Sequence, residues 1–291
     1  MLPTVLGDAM NGVMARLHSL PLRWLAIVVW GVVNGVLIAY AFEAFLLRPG
    51  SENDWGTWQT AALGLESGTL YADGFFVWSP IAAWLMGHVV LPLGYWFWLA
   101  AHLAIVLLLR SPLLIVAVLT SGPFWIDAAA GNFFTFVAVA GFLAVSGSRP
   151  AGIAFLALSL LMPRPVQLPL SLWLLAHERG LWVPTIGLIA GFAVLVGLSG
   201  YAIDWMHALL SLGQSYPFRG WDLGPTRVLG GAWLIIGIPL GAWLLYRGRP
   251  AWAGLAVTPY LVPQYFLALV WEAGKRSARG RTPGPILPNR P

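Results

Sequence analysis

Eleven acidic side chains are spread over the 291 residues of this chain, and four of them fall within thirty positions. Glu52, Asp54, Glu66 and Asp73 lie in SENDWGTWQTAALGLESGTLYADGFFVWSP (residues 51–80), interleaved with Trp55, Trp58, Tyr71 and Trp78. Further along stand Asp127 and Asn132, then Arg164 and Gln167, then Asp204, His207, Gln214, Arg219, Asp222 and Arg227. A carboxylate can take the proton of a hydroxyl nucleophile. A guanidinium is planar and permanently charged, and its donors match phosphate oxygens. Together these are parts for handling a phosphorylated substrate. Asp204 and His207 stand one helical turn apart, the spacing of a metal pair, but two ligands do not make a site. The chain has no Cys, so it has no disulfide framework and no thiolate chemistry. It also lacks a phosphate-cradling Gly-rich loop and any zinc-ligand spacing. A substrate carried on a nucleotide would call for such elements, so a membrane-borne donor is favoured.

Each of these residues also has a plainer reading. Trp55, Trp58, Ala62 and Leu65 follow Asp54 at helical spacing and Gly68 follows Ser67 as a stop, so Asp54 reads as a helix N-cap. On spacing alone that structural reading is the better one. The helix, with its Trp-bearing face, reads as interfacial. Arg164 lies between Pro163 and Pro165 with apolar runs on both sides. An ionisable group at membrane depth suggests function, while snorkelling to headgroups is the ordinary alternative. His88 and His102 read as satisfied core groups, Glu43 as interfacial, and Asn132 as a turn or cap residue after Gly131. Asp222 and Arg219 can simply pair with each other.

The elements that must position these groups are apolar. The chain is 59% hydrophobic and 9% charged, with mean hydropathy +0.77. A soluble domain covers itself with about a quarter charged residues, so this composition calls for lipid. The 17 Trp suit interfacial belts, and the net charge of +5, almost all Arg, suits anionic headgroups better than nucleic acid. The first apolar run, Trp24 to Leu47, follows Arg16 and Arg23, which places the N-terminus in the cytoplasm and reads as a retained anchor. Further runs cover roughly 76–93, 95–109, 112–130, 133–146, 150–162, 165–177, 181–200, 226–246 and 251–272. The expected fold is an all-α polytopic membrane protein with eight to ten crossings, one domain over 1–274 and an interfacial helix in an outer loop, 48–75. The connectors 146–149, 177–180 and 246–249 read as cytoplasmic. So does a disordered basic Pro-rich tail, 275–291. Gly131, the 162–165 break and the loop 201–225 then face outward. The stretch 95–131, broken at Arg110-Ser111-Pro112, does not fix its own parity.

The order of motifs resembles the GT-C-type membrane glycosyltransferases that use polyprenyl-phosphate sugars, and is most similar to glycosyltransferase family 87. The matching pieces are Asp54 in NDW, Ala61-Ala62, Gly68, Leu70-Tyr71 and Phe76-Val77-Trp78-Ser79-Pro80. Gly131-Asn132 resembles that family's G-Q-x-N element. Ala151-Gly152 with Met162-Pro163-Arg164-Pro165 resembles its A-G…K-x-x-P element, and Thr258-Pro259-Tyr260 through Tyr265 its S/T-P-Y…Y element. The likeness is spread over most of the chain. It departs where Asn132 replaces a Gln, Phe134 an Asn and Arg164 a Lys, and the chain is shorter than the family's pattern.

The resemblance implies a GT-C-like bundle and transfer of a sugar, mannose first, to a lipid or glycan acceptor on the outer face of the plasma membrane. Asp54 would be the general base on the acceptor hydroxyl. Arg164, then Arg219 or Arg227, would hold the donor phosphate. Glu52, Tyr71, Asp73, Trp78, Asn132, Gln167 and His207 are further candidates for substrate contact. No cofactor is implied, and nothing in the sequence calls for a divalent metal. Two other readings stay open. A transporter or flippase of lipid-linked glycans would line a path across the midplane with polar groups. A non-catalytic envelope-assembly subunit would turn Asp54 away from any cavity.

Overall fold

The computed structural model describes residues 24–25, 27–47, 53–72, 76, 78–215, 224, 229, 232–259 and 261–279. Among them every regular element is helical. In chain order these are α1 (Ile27–Leu46), α2 (Asp54–Ser67), α3 (Pro80–Leu93), α4 (Tyr95–Leu109), α5 (Pro112–Leu119), α6 (Gly122–Ala130), α7 (Phe134–Val145), α8 (Arg149–Leu161), α9 (Leu168–His177), α10 (Arg179–Leu198), α11 (Ala202–Ser215), α12 (Ala232–Tyr246), α13 (Pro250–Val257) and α14 (Val270–Arg279). Short 3₁₀ segments precede α9 (Pro165–Gln167) and α14 (Pro263–Leu269). Glu52, Asp73, Arg219, Asp222, Arg227 and the tail beyond 279 lie outside the described residues.

Helix starts follow the local chemistry. Asn53, with extended backbone, accepts from Gly56 N at 3.0 Å and is the cap of α2. This corrects the expectation that Asp54 caps it: Asp54 is the first residue inside the helix. Gly68 ends the helix in the left-handed region, φ +79°, as the sequence suggests. Ser79 caps α3, accepting from Ala82 N at 3.1 Å, and donates to Leu161 O at 2.9 Å, tying the start of α3 to the end of α8. Ser111 and Ser121 cap α5 and α6 in the same way, each followed within two residues by Pro.

Among the described residues two helices, α1 and α10, are long and apolar enough to cross a membrane, and α3–α4 and α5–α6 pass the same test as pairs bent by 100° and 65°. Among the described residues, two to four segments therefore have the length and composition of a span, where the sequence leads one to expect eight to ten crossings. The helices α7, α8 and α12 are apolar but shorter than a span. The run 76–93 is a clear case: α3 stays against α2 along its length. Trp78, just before it, stacks on Trp58. Gly87 in its middle leaves only 2.9 Å between a built Cβ and Ala62 Cβ, and Tyr95 just after it meets the Trp55 ring at 5.5 Å. The stretch 95–131 also gains a direction. Trp98 contacts Phe133 and His102 contacts Phe136, so α4 and α7 run side by side the same way. Arg110, left-handed at φ +56°, then makes a turn at the end of α4.

The main core surrounds α7. Trp271 of α14 is fully buried, donates from Nε1 to Ala138 O at 3.0 Å, and lies over Gly141, where a Cβ would come within 2.4 Å of the indole nitrogen. Phe134, Phe142, Phe155, Leu170 and Tyr265 fill the rest. A second core gathers Trp55, Trp58, Phe76, Trp78, Trp98 and Phe133. Trp58 and Trp78 stack at 4.5 Å, and such pairs contribute about 0.5–1.5 kcal/mol beyond the area they bury. The Trp face of α2 therefore packs into protein and not into a headgroup belt. At the other end α14 continues past position 275. Lys275 is buried, with its ammonium 5.2 Å from the Trp173 ring.

Candidate active site

The first turn of α2 delivers Asp54, the α6–α7 junction delivers Asn132, and the Pro163–Pro165 break delivers Arg164. All three meet. Asn132 Nδ2 donates to Asp54 Oδ2 at 2.5 Å, and Arg164 Nη2 donates to Asn132 Oδ1. An amide carries a donor and an acceptor on one planar group, so it can join a carboxylate to a guanidinium.

Local structure makes this meeting possible. Gly131 has φ +85°, and a Cβ there would lie 2.8 Å from Trp55 N and 2.9 Å from Trp55 Cβ. Only glycine lets the first turn of α2 come this close. Trp58 Nε1 then donates to Gly131 O at 3.0 Å, stapling α2 to the junction. Beneath it, buried Asp127 accepts from Phe134 N (3.1 Å), Thr135 N (2.6 Å) and Thr135 Oγ1 (2.7 Å), capping α7 and fixing the 131–133 turn. His102 Nε2 sits 2.8 Å from Asn132 O and 3.6 Å from Asp127 Oδ2, and its Nδ1 is 3.0 Å from Trp98 O.

Arg164 is 8% exposed, and its guanidinium lies between the Phe134 and Tyr265 rings at 5.9 and 5.5 Å. Its backbone N–H donates to Gln167 Oε1 at 3.1 Å. Gln167 is 2% exposed, and its amide nitrogen has no acceptor. A buried donor without a partner, attached to the residue that holds the cation, carries a desolvation cost that an anionic oxygen would relieve. Asp54 is half-buried. Burial raises its carboxyl from 3.8 to about 6; Arg164 opposes that rise and Asp127 adds to it. It therefore changes protonation close to neutral pH.

The other expected residues fall elsewhere. Trp78 is buried and stacked on Trp58. Tyr71 donates to Trp78 O at 2.8 Å and is held protonated by burial, then by Asp204 and Tyr201. It lines a separate cleft of about 420 Å³ with Tyr201, Asp204 and His207. No group of three or more metal-ligating side chains occurs among the described residues, so Asp204 and His207 remain a pair. His102 is the satisfied core group the sequence suggests, but its link to Asn132, Asp127 as a cap and Tyr265 as a wall for Arg164 were not legible there. Each acts through a contact made at least seven residues away in sequence, a distance at which no spacing rule applies.

Two grooves are lined by sequence neighbours of the site residues. One of about 710 Å³ runs along the far side of α2, past Asn53, Gly56, Thr57 and Thr60, and Asp54 is not in its lining. The other, about 490 Å³ and almost wholly apolar, lies between α3, α8 and α10 and is lined by Ile81, Ile153, Ala157, Leu161, Gly187 and Gly191 among others. Its wall at Leu161 is three residues before Arg164. Comparison of the chain with protein-family models, with curated proteins and with solved structures returns no match.

Proposed function

We propose that the protein is an integral membrane glycosyltransferase that moves a sugar, mannose first among the candidates, from a polyprenyl-phosphate donor to a lipid or glycan hydroxyl. The observation that carries this reading is the line Asp54–Asn132–Arg164, which sets a carboxylate titrating near 6 and a buried guanidinium on the two ends of one amide. Asp54 takes the proton of the acceptor hydroxyl as that oxygen bonds to the anomeric carbon. The carbon–oxygen bond to the phosphate breaks on the opposite face, and its electron pair stays on the phosphate. Arg164 and the unpaired Gln167 amide offset the charge that develops there. The apolar groove that Leu161 helps to line has the character that an isoprenoid chain needs. The placement of the chain in the plasma membrane, with this site on its outer face, belongs to the same proposal.

The test is to supply membranes carrying the chain with labelled polyprenyl-phosphate mannose and to compare wild type with Asp54→Asn. Label should pass to an acceptor with wild type alone. Equal transfer by both would sink the assignment of Asp54 as the base.

A further inference from the structure

The helix expected to lie in the headgroup plane, α2, has its Trp face in protein. Another helix has the surface for that place. At about 100° per residue, Ile203, Met206 and Leu210 of α11 share one sector, and they are 72%, 50% and 73% exposed. The adjoining sector holds Asp204 and His207, both exposed, which line the 420 Å³ cleft with Tyr71 and Tyr201. The remaining sector faces protein: Trp205 is buried, with its ring 5.6 Å from Phe192 of α10. So α11 shows three faces in turn: apolar and bare, polar and open, and packed.

The position of α11 says what covers the bare face. It begins four residues after Leu198, where the spanning-length helix α10 ends. Collinear helices would separate residues 192 and 205 by about 20 Å at 1.5 Å per residue. The Phe192–Trp205 contact therefore requires the chain to turn between them, and Gly200 at φ +79° is in that turn. Tyr201 at the turn donates to Leu65 O of α2 at 3.2 Å, which holds the start of α11 beside the outer-loop helix. The last turns of α10 expose Val194, Leu195 and Leu198, and the bare face of α11 continues that apolar surface around the corner. We propose that α11 lies at the lipid–water boundary, with Ile203, Met206 and Leu210 seated in the bilayer and the Asp204–His207 side opening the Tyr71–Tyr201 cleft to water at headgroup level. The inference rests on α10 spanning the membrane and not on the transfer chemistry.

The chain has no Cys, so single cysteines report without background. Nitroxide labels at Ile203→Cys, Leu210→Cys, Asp204→Cys and His207→Cys, in the full chain in phosphatidylcholine–phosphatidylglycerol vesicles, are read by power saturation against oxygen and a water-soluble nickel chelate. The ratio of oxygen to nickel accessibility should be about tenfold higher at 203 and 210 than at 204 and 207, following the helical repeat. Equal nickel access at all four sites would place α11 in water and overturn the proposal. Low access to both reagents at 203 and 210 would mean a protein covers that face, and would overturn it equally. All four side chains are exposed, so the labels disturb no core. Vesicles retaining or lacking sugar transfer give the same reading, which keeps the two proposals separately testable.

Discussion

At the scale of single residues, the candidate chemistry depends on one proton site with an unusual setting. If Asp54 is the base, Asp54→Asn should lower turnover by about 10²–10⁴-fold with little change in fold, checked by labelled-sugar transfer and by circular dichroism. Wild-type transfer should fall about tenfold per pH unit below 6, since only the ionised carboxylate can accept the proton. Stability moves the opposite way. The folded value lies above 3.8, so the folded state binds the proton more tightly. The stability this confers is complete below pH about 4 and is lost as pH rises through about 6, a difference on the order of 1–3 kcal/mol. Asp54→Asn should remove that dependence, so its melting temperature relative to wild type should be higher at pH 8 than at pH 4. A constant difference across this range would show that Asp54 titrates normally.

At the scale of elements, the site exists because the first turn of α2 can touch the α6–α7 junction. Gly131→Ala meets two obstacles, a left-handed backbone and a Cβ position 2.8 Å from Trp55 N. It should cost about 2–4 kcal/mol and abolish transfer by withdrawing Asn132 from Asp54, measured by thermal unfolding and by the same transfer assay. Trp58→Phe keeps the aromatic packing but gives up the bond to Gly131 O. Its expected cost is about 1–2 kcal/mol, with transfer reduced and not lost. If Gly131→Ala transferred normally, the junction would not be what positions Asn132.

At the scale of the whole molecule, a crossing pattern can be predicted from which ends meet. Asp54, Asn132 and Arg164 share one level, and α4 and α7 leave that level side by side. Arg110, at the far end of α4, should therefore share a membrane face with the 146–149 connector, opposite α2. Single cysteines at Arg110, Gly147 and Thr60, probed with an impermeant thiol reagent on intact cells, check this. Only the Thr60 site should react, and labelling at Arg110 would make α3–α4 a re-entrant pair. This arrangement also shows why an apolar run is not by itself a crossing. A run such as 76–93 packs one face on α2 while Trp84, Val89 and Leu93 stay exposed, and composition alone cannot separate burial in protein from burial in lipid.

The sequence by itself determined the helical class, the span of α2 with its Gly68 stop, the unusual standing of Arg164 between two prolines, and the set of side chains able to do chemistry. Those are local or compositional properties, carried by periodicity, by backbone-restricted residues and by the cost of placing charge in an apolar chain. The tertiary structure alone decided that Asn53 and not Asp54 caps α2, that the Trp rings of that helix are core, and that Asn132 stands between Asp54 and Arg164. Each of those depends on contacts between residues tens of positions apart or on which of two adjacent polar groups reaches the helix end first. A one-residue choice at a helix cap changes little in the local energy. Here it frees the Asp54 carboxylate to face Asn132.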